Sequence, residues 1–176
     1  LEPIDAFYNA ACLNWSGKTI EGLDYSEVIS EHLLSIGIKD MLSRIPPINR
    51  KSYKIATHVG EIPRRTNRRE EICAKELFNK DLPYIGKVID YQVPLKARQS
   101  DKAGKIDLVA FRKKPESVFI IELKSNGNKE TLLRAALEIS TYYQMLSRDN
   151  FLASYDEDLA GLKPHDVRKA LLLGEG

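Results

Sequence analysis

Asp107 and Glu122 are the carboxylates in this chain that are best placed to bind a cation, and Lys124 is expected beside them. Asp107 lies in one short apolar segment, and Glu122 and Lys124 lie in the next. The intervening residues 112–117 carry proline and charge, which is typical of a hairpin turn. Strand residues two apart share a face, so Lys124 lies beside Glu122. A turn at Lys114-Pro115 pairs Phe111 with Val118, Val109 with Ile120, and Asp107 with Glu122.

Two carboxylates placed opposite each other destabilise a sheet, and unpaired charge among apolar residues is costly. A hard divalent cation would relieve this conflict, because carboxylate oxygens are the ligands that Mg²⁺ prefers. The spacing therefore predicts a cation site at the open end of the hairpin.

This arrangement resembles the signature of the PD-(D/E)XK nucleases, the restriction-endonuclease-like superfamily. The similar residues are Gly104-x-x-Asp107, followed one strand later by Glu122-Leu123-Lys124. The resemblance implies that Asp107, Glu122 and the Leu123 carbonyl bind Mg²⁺, with Mn²⁺ as a substitute. It implies that Lys124 orients or activates the attacking water. The implied activity is metal-dependent hydrolysis of phosphodiester bonds, in DNA rather than RNA.

The resemblance also implies an α/β fold with a central mixed sheet flanked by helices, in the order helix, three strands, helix, strand. Residues 66–78 predict the first helix, with Glu70 in position for a capping box. At about 100° per residue, Glu70 points along the apolar stripe and Glu71 lies about a quarter turn away. Many members of the superfamily have a glutamate on this helix that reaches the metal, so Glu70 is implied as a further ligand and catalytic residue. Helix capping is the alternative role of Glu70, and a role for Glu71 stays open.

Residues 129–148 keep helical spacing of their apolar positions and predict a long helix. Within it, the segment from Glu138 to Tyr142 resembles the Q-L-x-x-Y element of the exonuclease-like branch, with Glu138 in place of glutamine. The resemblance implies that Tyr142 contacts nucleic acid. Ordinary helix packing is the alternative for Tyr142 and Tyr143. Residues 167–173 are a short apolar run that predicts a last buried strand.

The basic residues are clustered, although 27 basic and 25 acidic residues leave a formal charge of only +2. Such clusters attract phosphate to part of a surface, and the implied partner is nucleic acid. A solvated basic surface without a ligand is the alternative. The four arginines at the start of the first predicted helix are the candidate nucleic-acid contacts: Arg64, Arg65, Arg68 and Arg69. Further basic residues precede this helix or flank the strand of Asp107: Arg44, Arg50, Lys51, Lys54, Lys96, Arg98, Lys102 and Lys105.

A length of 176 residues predicts one domain, with residues 1–60 as an N-terminal helical extension and residues 61–176 as the nuclease-like core. In the extension, residues 24–42 predict an amphipathic helix and residues 52–57 a short strand. No run is long enough to span a membrane, and no signal-peptide pattern is visible. We therefore expect a cytoplasmic protein without a membrane partner. The oligomeric state stays open, a homodimer being one option.

Two other classes of protein compete with a nuclease. The first is a catalytically inactive domain of the same fold that binds nucleic acid or another protein. The second is an unrelated α/β domain in which Glu122 and Lys124 form a surface salt bridge of little energetic value. This second alternative predicts that Asp107 and Glu122 face solvent.

Overall fold

A five-stranded mixed β-sheet with helices packed against it forms the centre of the protein, as seen in a computed structural model. The structure describes residues 3–60, 69–101 and 103–174. The predicted α/β class and the helix-flanked mixed sheet are confirmed. The strands are β1 (Asp81–Leu82), β2 (Gly86–Pro94), β3 (Lys105–Lys113), β4 (Glu116–Lys124) and β5 (Val167–Leu173). The α-helices are α1 (Tyr25–Ser35), α2 (Ile38–Ser43), α3 (Arg69–Leu77), α4 (Leu132–Met145), α5 (Arg148–Ser154) and α6 (Asp156–Leu159). Short 3₁₀ helices span Ile4–Asn9, Ala11–Asn14 and Pro164–Asp166.

The strands follow one another across the sheet in chain order, β1-β2-β3-β4-β5. Neighbours from β1 to β4 are antiparallel, and β5 is parallel to β4. The last residues of β2, β4 and β5 therefore lie at the same end of the sheet as the first residue of β3. We call this the site end, marked by Pro94, Lys105, Lys124 and Leu173.

The predicted β3–β4 hairpin register is confirmed at two of the three expected pairs. Phe111 lies opposite Val118, and Val109 lies opposite Ile120. The ladder ends at Leu108 and Ile121. Asp107 is the next residue, and the same register places it across from Glu122. The short turn explains this success, because a tight hairpin connection sets the register of its strands.

Buried apolar side chains form two clusters on the two sides of the sheet. Val109 and Ile120 belong to one cluster and Leu108 and Ile121 to the other, as expected because successive strand residues point to opposite faces. Helix α4 supplies buried residues to the first cluster, and α3 supplies Ala74 to the second. Helices α3 and α4 thus enclose the strands that carry the predicted site.

Residues from the N-terminal segment are part of the first cluster and share it with the sheet. Tyr8, Leu13, Leu33 and Tyr53 are all buried there. The predicted helix over 24–42 is broken into α1 and α2 at Gly37, which has a left-handed φ of 77°. Within the described residues, no helix combines the length and apolar character needed to cross a bilayer.

Three other predictions about secondary structure need correction. Residues 52–57 form no strand: the Tyr53 N–H donates to Ser154 Oγ at 2.9 Å, and the buried ring packs edge-to-face on Phe151. The apolar pattern there reflects burial against α5 rather than strand pairing. The predicted helix over 129–148 is shorter, and a separate helix α5 follows it. Strand β1 makes four strands rather than three between α3 and α4.

Candidate active site

Asp107, Glu122 and Lys124 meet at the site end of the sheet, as the hairpin pattern predicts. One oxygen of Asp107, Oδ2, accepts a hydrogen bond from the Leu123 N–H at 2.9 Å. Glu122 Oε1 lies 2.7 Å from Lys124 Nζ. Glu122 is only 4% exposed, and Asp107 is half-buried. This burial contradicts the surface salt-bridge alternative, which requires both carboxylates to face solvent.

Three carboxylates surround the ammonium group of Lys124. Besides Glu122, its Nζ lies 2.5 Å from Glu130 Oε2 and 3.4 Å from Glu138 Oε2. Burial lowers the pKa of Lys124, but the acidic neighbours outweigh burial and raise it above the ordinary value. Lys124 therefore stays charged at neutral pH, and it is outnumbered by the acids it faces.

The two strand carboxylates hold their protons more tightly than ordinary acids. Burial is the main cause that raises the pKa of Asp107 to about 6; the Leu123 N–H bond opposes the rise, and Glu70 adds to it. Burial, followed by repulsion from Asp107 and Glu138, raises the pKa of Glu122 to about 9, although Lys124 acts in the opposite direction. The negative charge that this site can carry is thus only partly balanced by its single lysine.

Gln92 is a member of the site that the sequence did not reveal. Its Nε2 donates to Asp107 Oδ1 at 2.8 Å. The β2–β3 register, with Tyr91 opposite Leu108 and Val93 opposite Ile106, places Gln92 across from Asp107. The available signal was the one amide side chain of β2, a strand that also carries Lys87 and Asp90.

Glu70 lies close to Asp107 and contributes to the rise in its pKa. Its Oε1 accepts a hydrogen bond from Asn128 Nδ2 at 2.5 Å, which ties α3 to the loop after β4. Glu71 instead pairs with Lys75 at 2.9 Å. The prediction that Glu70 extends toward the site thus agrees with the geometry, whereas metal binding by Glu70 stays a prediction.

A cleft of about 440 Å³ opens over Asp107. A smaller cleft of about 210 Å³ lies on the Lys124 side of the loop 125–128, which lines both. Glu122 lines neither of these two clefts. The structure thus gathers the predicted residues but gives Asp107 and Lys124 separate openings. The larger cleft is lined by Arg69, Glu70, Glu71, Gln92, Asp107, Ser125, Asn126, Gly127 and Asn128.

Tyr142 is a packing residue in this structure and does not offer a ring face to nucleic acid. It is 4% exposed, and its hydroxyl donates to Glu138 Oε1 at 2.8 Å. A methyl group added at Gly104 would lie 2.1 Å from this hydroxyl oxygen. The glycine of the Gly104-x-x-Asp107 pattern is therefore needed for the approach of Tyr142. Through Glu138, Tyr142 helps to hold Lys124.

Of the four arginines predicted to contact nucleic acid, the structure describes only Arg69. It is exposed and lines the larger cleft. The other three lie outside the described residues, so their predicted role stays a prediction: Arg64, Arg65 and Arg68.

The donor set of this site suits a hard cation. In the part of the chain that the structure describes, no three His, Cys, Asp or Glu side chains are arranged as a preformed metal site. The residues nevertheless fit Mg²⁺ or Mn²⁺ by chemistry, because they offer carboxylate and carbonyl oxygens. Each oxygen of Asp107 accepts one hydrogen bond and keeps a further lone pair. Because the pKa values of Asp107 and Glu122 are raised, both carboxylates favour the protonated form without a cation, and a bound cation would replace those protons.

The fold and the site together define an α/β protein with an acidic, lysine-containing cluster at one end of a mixed sheet. No protein-family model, curated protein or solved structure matches the chain.

Proposed function

We propose that this protein is a metal-dependent nuclease with a restriction-endonuclease-like core that hydrolyses phosphodiester bonds, in DNA rather than RNA. The observation that carries the proposal is the meeting of Asp107, Glu122 and Lys124 at the site end of β3 and β4. One buried and one half-buried carboxylate beside an ammonium group are costly in an apolar sheet unless they serve a purpose. Cation-assisted hydrolysis uses this combination of groups.

Asp107, Glu122, the Leu123 carbonyl and Glu70 would hold Mg²⁺ or Mn²⁺. When bound, the cation polarises the scissile phosphate and lowers the pKa of a bound water. The protein's own contribution is to position these groups: Gln92 and the Leu123 N–H orient the carboxylate of Asp107. Such orienting contacts keep a ligand in place before the substrate arrives.

Lys124 would act on the attacking water or on the charge that develops at phosphorus. Its ammonium stays protonated because Glu122, Glu130 and Glu138 raise its pKa. A protonated Nζ donates hydrogen bonds, so it can orient a water molecule by donating to the water oxygen, or it can stabilise a phosphate oxygen. Tyr142 and Glu138 restrict where this ammonium can lie.

Substrate binding would use the exposed basic residues around the larger cleft. Arg69 supports this role by its position in the cleft lining. Three further arginines precede Arg69 in the sequence, and we propose that they contact the sugar-phosphate backbone of the same nucleic acid: Arg64, Arg65 and Arg68. Arginine suits this task because its planar fork matches phosphate oxygens.

A catalytically inactive domain that binds nucleic acid or another protein is the second candidate. The observation that favours this candidate is the burial of Glu122, which is 4% exposed and contacts Lys124. In such a domain the ion pair would fill the place that a metal takes in an active enzyme.

A nuclease assay separates the two candidates. Plasmid, linear duplex and single-stranded DNA, and a matched RNA, are incubated with the protein in Mg²⁺, Mn²⁺ or EDTA. The proposal predicts cleavage of DNA in either metal, none in EDTA, and none by Asp107→Asn. Binding without cleavage in both metals favours the inactive domain. Cleavage that persists in EDTA contradicts the metal-dependent mechanism.

A further inference from the structure

A further concave surface, separate from the two clefts of the candidate active site, lies beside the connection between β2 and β3 at the site end of the sheet. It has a volume of about 760 Å³. Three cations, Arg50, Lys51 and Arg98, line it with one carboxylate, Asp101. We call this surface the basic concavity. The fold forms it from two separate basic clusters of the sequence, one before α3 and one after β2.

Arg50 is held in place before any ligand arrives. Its carbonyl oxygen accepts a hydrogen bond from Asn150 Nδ2 at 2.9 Å, and its guanidinium donates to the Lys96 carbonyl oxygen. The guanidinium carbon lies 5.8 Å from the centre of the Tyr53 ring. Arg50 Nε is buried and lacks a hydrogen-bond partner, and within the described residues the side chain forms no ion pair. The Arg50 side chain is therefore held in place, and no carboxylate in the described residues pairs with its charge.

Asp101 can offset only one of the three positive charges on this surface, and its carboxylate is held by the main chain. Its Oδ2 accepts hydrogen bonds from the Ala97 N–H at 2.9 Å and the Arg98 N–H at 2.7 Å. These bonds close the turn that brings Arg98 to the concavity. Lys51 and Arg98 are exposed, and neither forms an ion pair with a carboxylate in the described part of the chain.

The β2–β3 connection links the basic concavity to the strand that carries Asp107. The connection that carries Arg98 returns to β3 at Gly104, against which the Tyr142 hydroxyl packs. The same hydroxyl bonds Glu138, whose other oxygen faces Lys124. The basic concavity and the candidate active site are thus both attached to the start of β3.

We propose that the basic concavity binds backbone phosphates of the nucleic acid on one side of the bond that is cleaved. This inference rests on the proposed nuclease function. A fixed arginine with two exposed cations suits a phosphate chain, because guanidinium groups bind phosphate oxygens as a fork and each neutralised phosphate releases counterions.

The test compares two double variants that remove the same amount of charge. Lys51→Ala with Arg98→Ala alters the basic concavity, whereas Lys87→Ala with Lys113→Ala removes two exposed cations at the opposite end of the sheet. Arg50 is left intact because it also ties two segments together. Affinity for a fluorescent DNA duplex is measured across a range of salt concentrations, in an Asp107→Asn background that keeps the duplex intact. Cleavage kinetics are measured in the otherwise native protein.

The concavity variant should bind the duplex more weakly at every salt concentration and flatten the dependence of log K on log salt. The expected change is about 0.9 slope units for each phosphate that is no longer neutralised, or about 1.8 for two phosphates in duplex DNA. The rate at saturating duplex should equal that of the parent protein, so KM rises and kcat does not change. The control variant should keep the parental slope.

Each other outcome overturns a stated part of the account. If the concavity variant and the control have equal slopes while the parent protein cleaves DNA, the concavity does not bind the backbone and the nuclease proposal stands. If the slope falls as expected but the parent cleaves nothing in Mg²⁺ or Mn²⁺, the nuclease proposal fails and the concavity stands as a nucleic-acid-binding surface. If the parent protein binds no nucleic acid, both proposals fail.

Discussion

Replacing Asp107 by asparagine should abolish the stabilisation of the protein by Mg²⁺ or Mn²⁺. Asparagine keeps the size of the side chain but removes the charge that a cation requires. In the present structure Asp107 accepts bonds from Gln92 Nε2 and the Leu123 N–H. The amide of asparagine can satisfy only one of these donors with its single oxygen. The comparison must therefore use the metal-induced shift within each variant rather than absolute melting temperatures.

The size of the shift follows from ligand linkage and from chain length. A cation at about 100 times its dissociation constant stabilises the folded state by about 2.7 kcal/mol. For a chain of 176 residues, this corresponds to a rise in melting temperature of about 5–10 °C. If removal of the carboxylate weakens binding about 100-fold, the same concentration stabilises the variant by only about 0.4 kcal/mol, or about 1 °C.

Thermal unfolding in EDTA, Mg²⁺ and Mn²⁺ measures this difference. Asp81→Asn is the matched control, because Asp81 is an exposed aspartate on β1 at the opposite end of the sheet. It should keep the full shift. Equal shifts in the parent protein and in Asp107→Asn would refute the assignment of Asp107 as a ligand.

Further predictions concern pH, packing and buried polar contacts. With pKa values raised to about 6 at Asp107 and about 9 at Glu122, the folded state retains protons that the unfolded state releases from about pH 4 upward. The metal-free protein should thus lose stability as pH rises through this window. The stabilisation by metal should grow over the same range, because metal competes with protons for the carboxylates. Chemical unfolding between pH 5 and 9, with and without metal, measures both trends. Gly104→Ala should cost about 1–3 kcal/mol by displacing Tyr142 and should slow cleavage, and an unchanged unfolding curve would contradict the close contact. Asp90 is 2% exposed and forms hydrogen bonds with His58, the Tyr155 hydroxyl and the Tyr91 N–H. Asp90→Asn should therefore lower the free energy of unfolding in urea by about 3 kcal/mol, and it should leave the stabilisation by metal unchanged.

The sequence was sufficient to predict that Asp107, Glu122 and Lys124 lie near one another, because their arrangement depends on one local hairpin. A short hairpin joins β3 and β4, so the register follows from the turn, and the register places Asp107 across from Glu122. Lys124 follows from the two-residue period of a strand. Glu70 could be placed because a helical period relates it to apolar neighbours in the same helix.

The remaining contacts depend on long-range packing that no local pattern encodes. Gln92 reaches Asp107 through the β2–β3 register, which includes an irregularity between Val88 and Asp90 and no tight turn. Glu130 reaches Lys124 through the path of the loop after β4. The basic concavity likewise requires the segment of Arg50 to pack beside the β2–β3 connection.

The prediction of a strand over residues 52–57 was wrong for a related reason. Alternating apolar residues indicate burial on one side but do not identify the partner. Here the partner of Tyr53 is helix α5 instead of a neighbouring strand. Tyr142 shows the same ambiguity: its sequence position resembles a substrate-contacting tyrosine, yet its hydroxyl is bonded to Glu138 inside the fold.

Single-turnover cleavage by a Lys124→Ala variant tests whether the Lys124 ammonium takes part in phosphodiester hydrolysis. The variant is assayed with Mg²⁺ and saturating protein, beside Lys113→Ala, which removes an exposed lysine at the opposite end of the sheet. Unfolding curves establish a temperature at which both variants are folded, and duplex affinity is measured in parallel. The account predicts that Lys124→Ala binds metal and duplex as the parent does but cleaves about 100-fold more slowly or worse, because the variant cannot stabilise the transition state through this ammonium. Cleavage by Lys124→Ala at the rate of Lys113→Ala would contradict it.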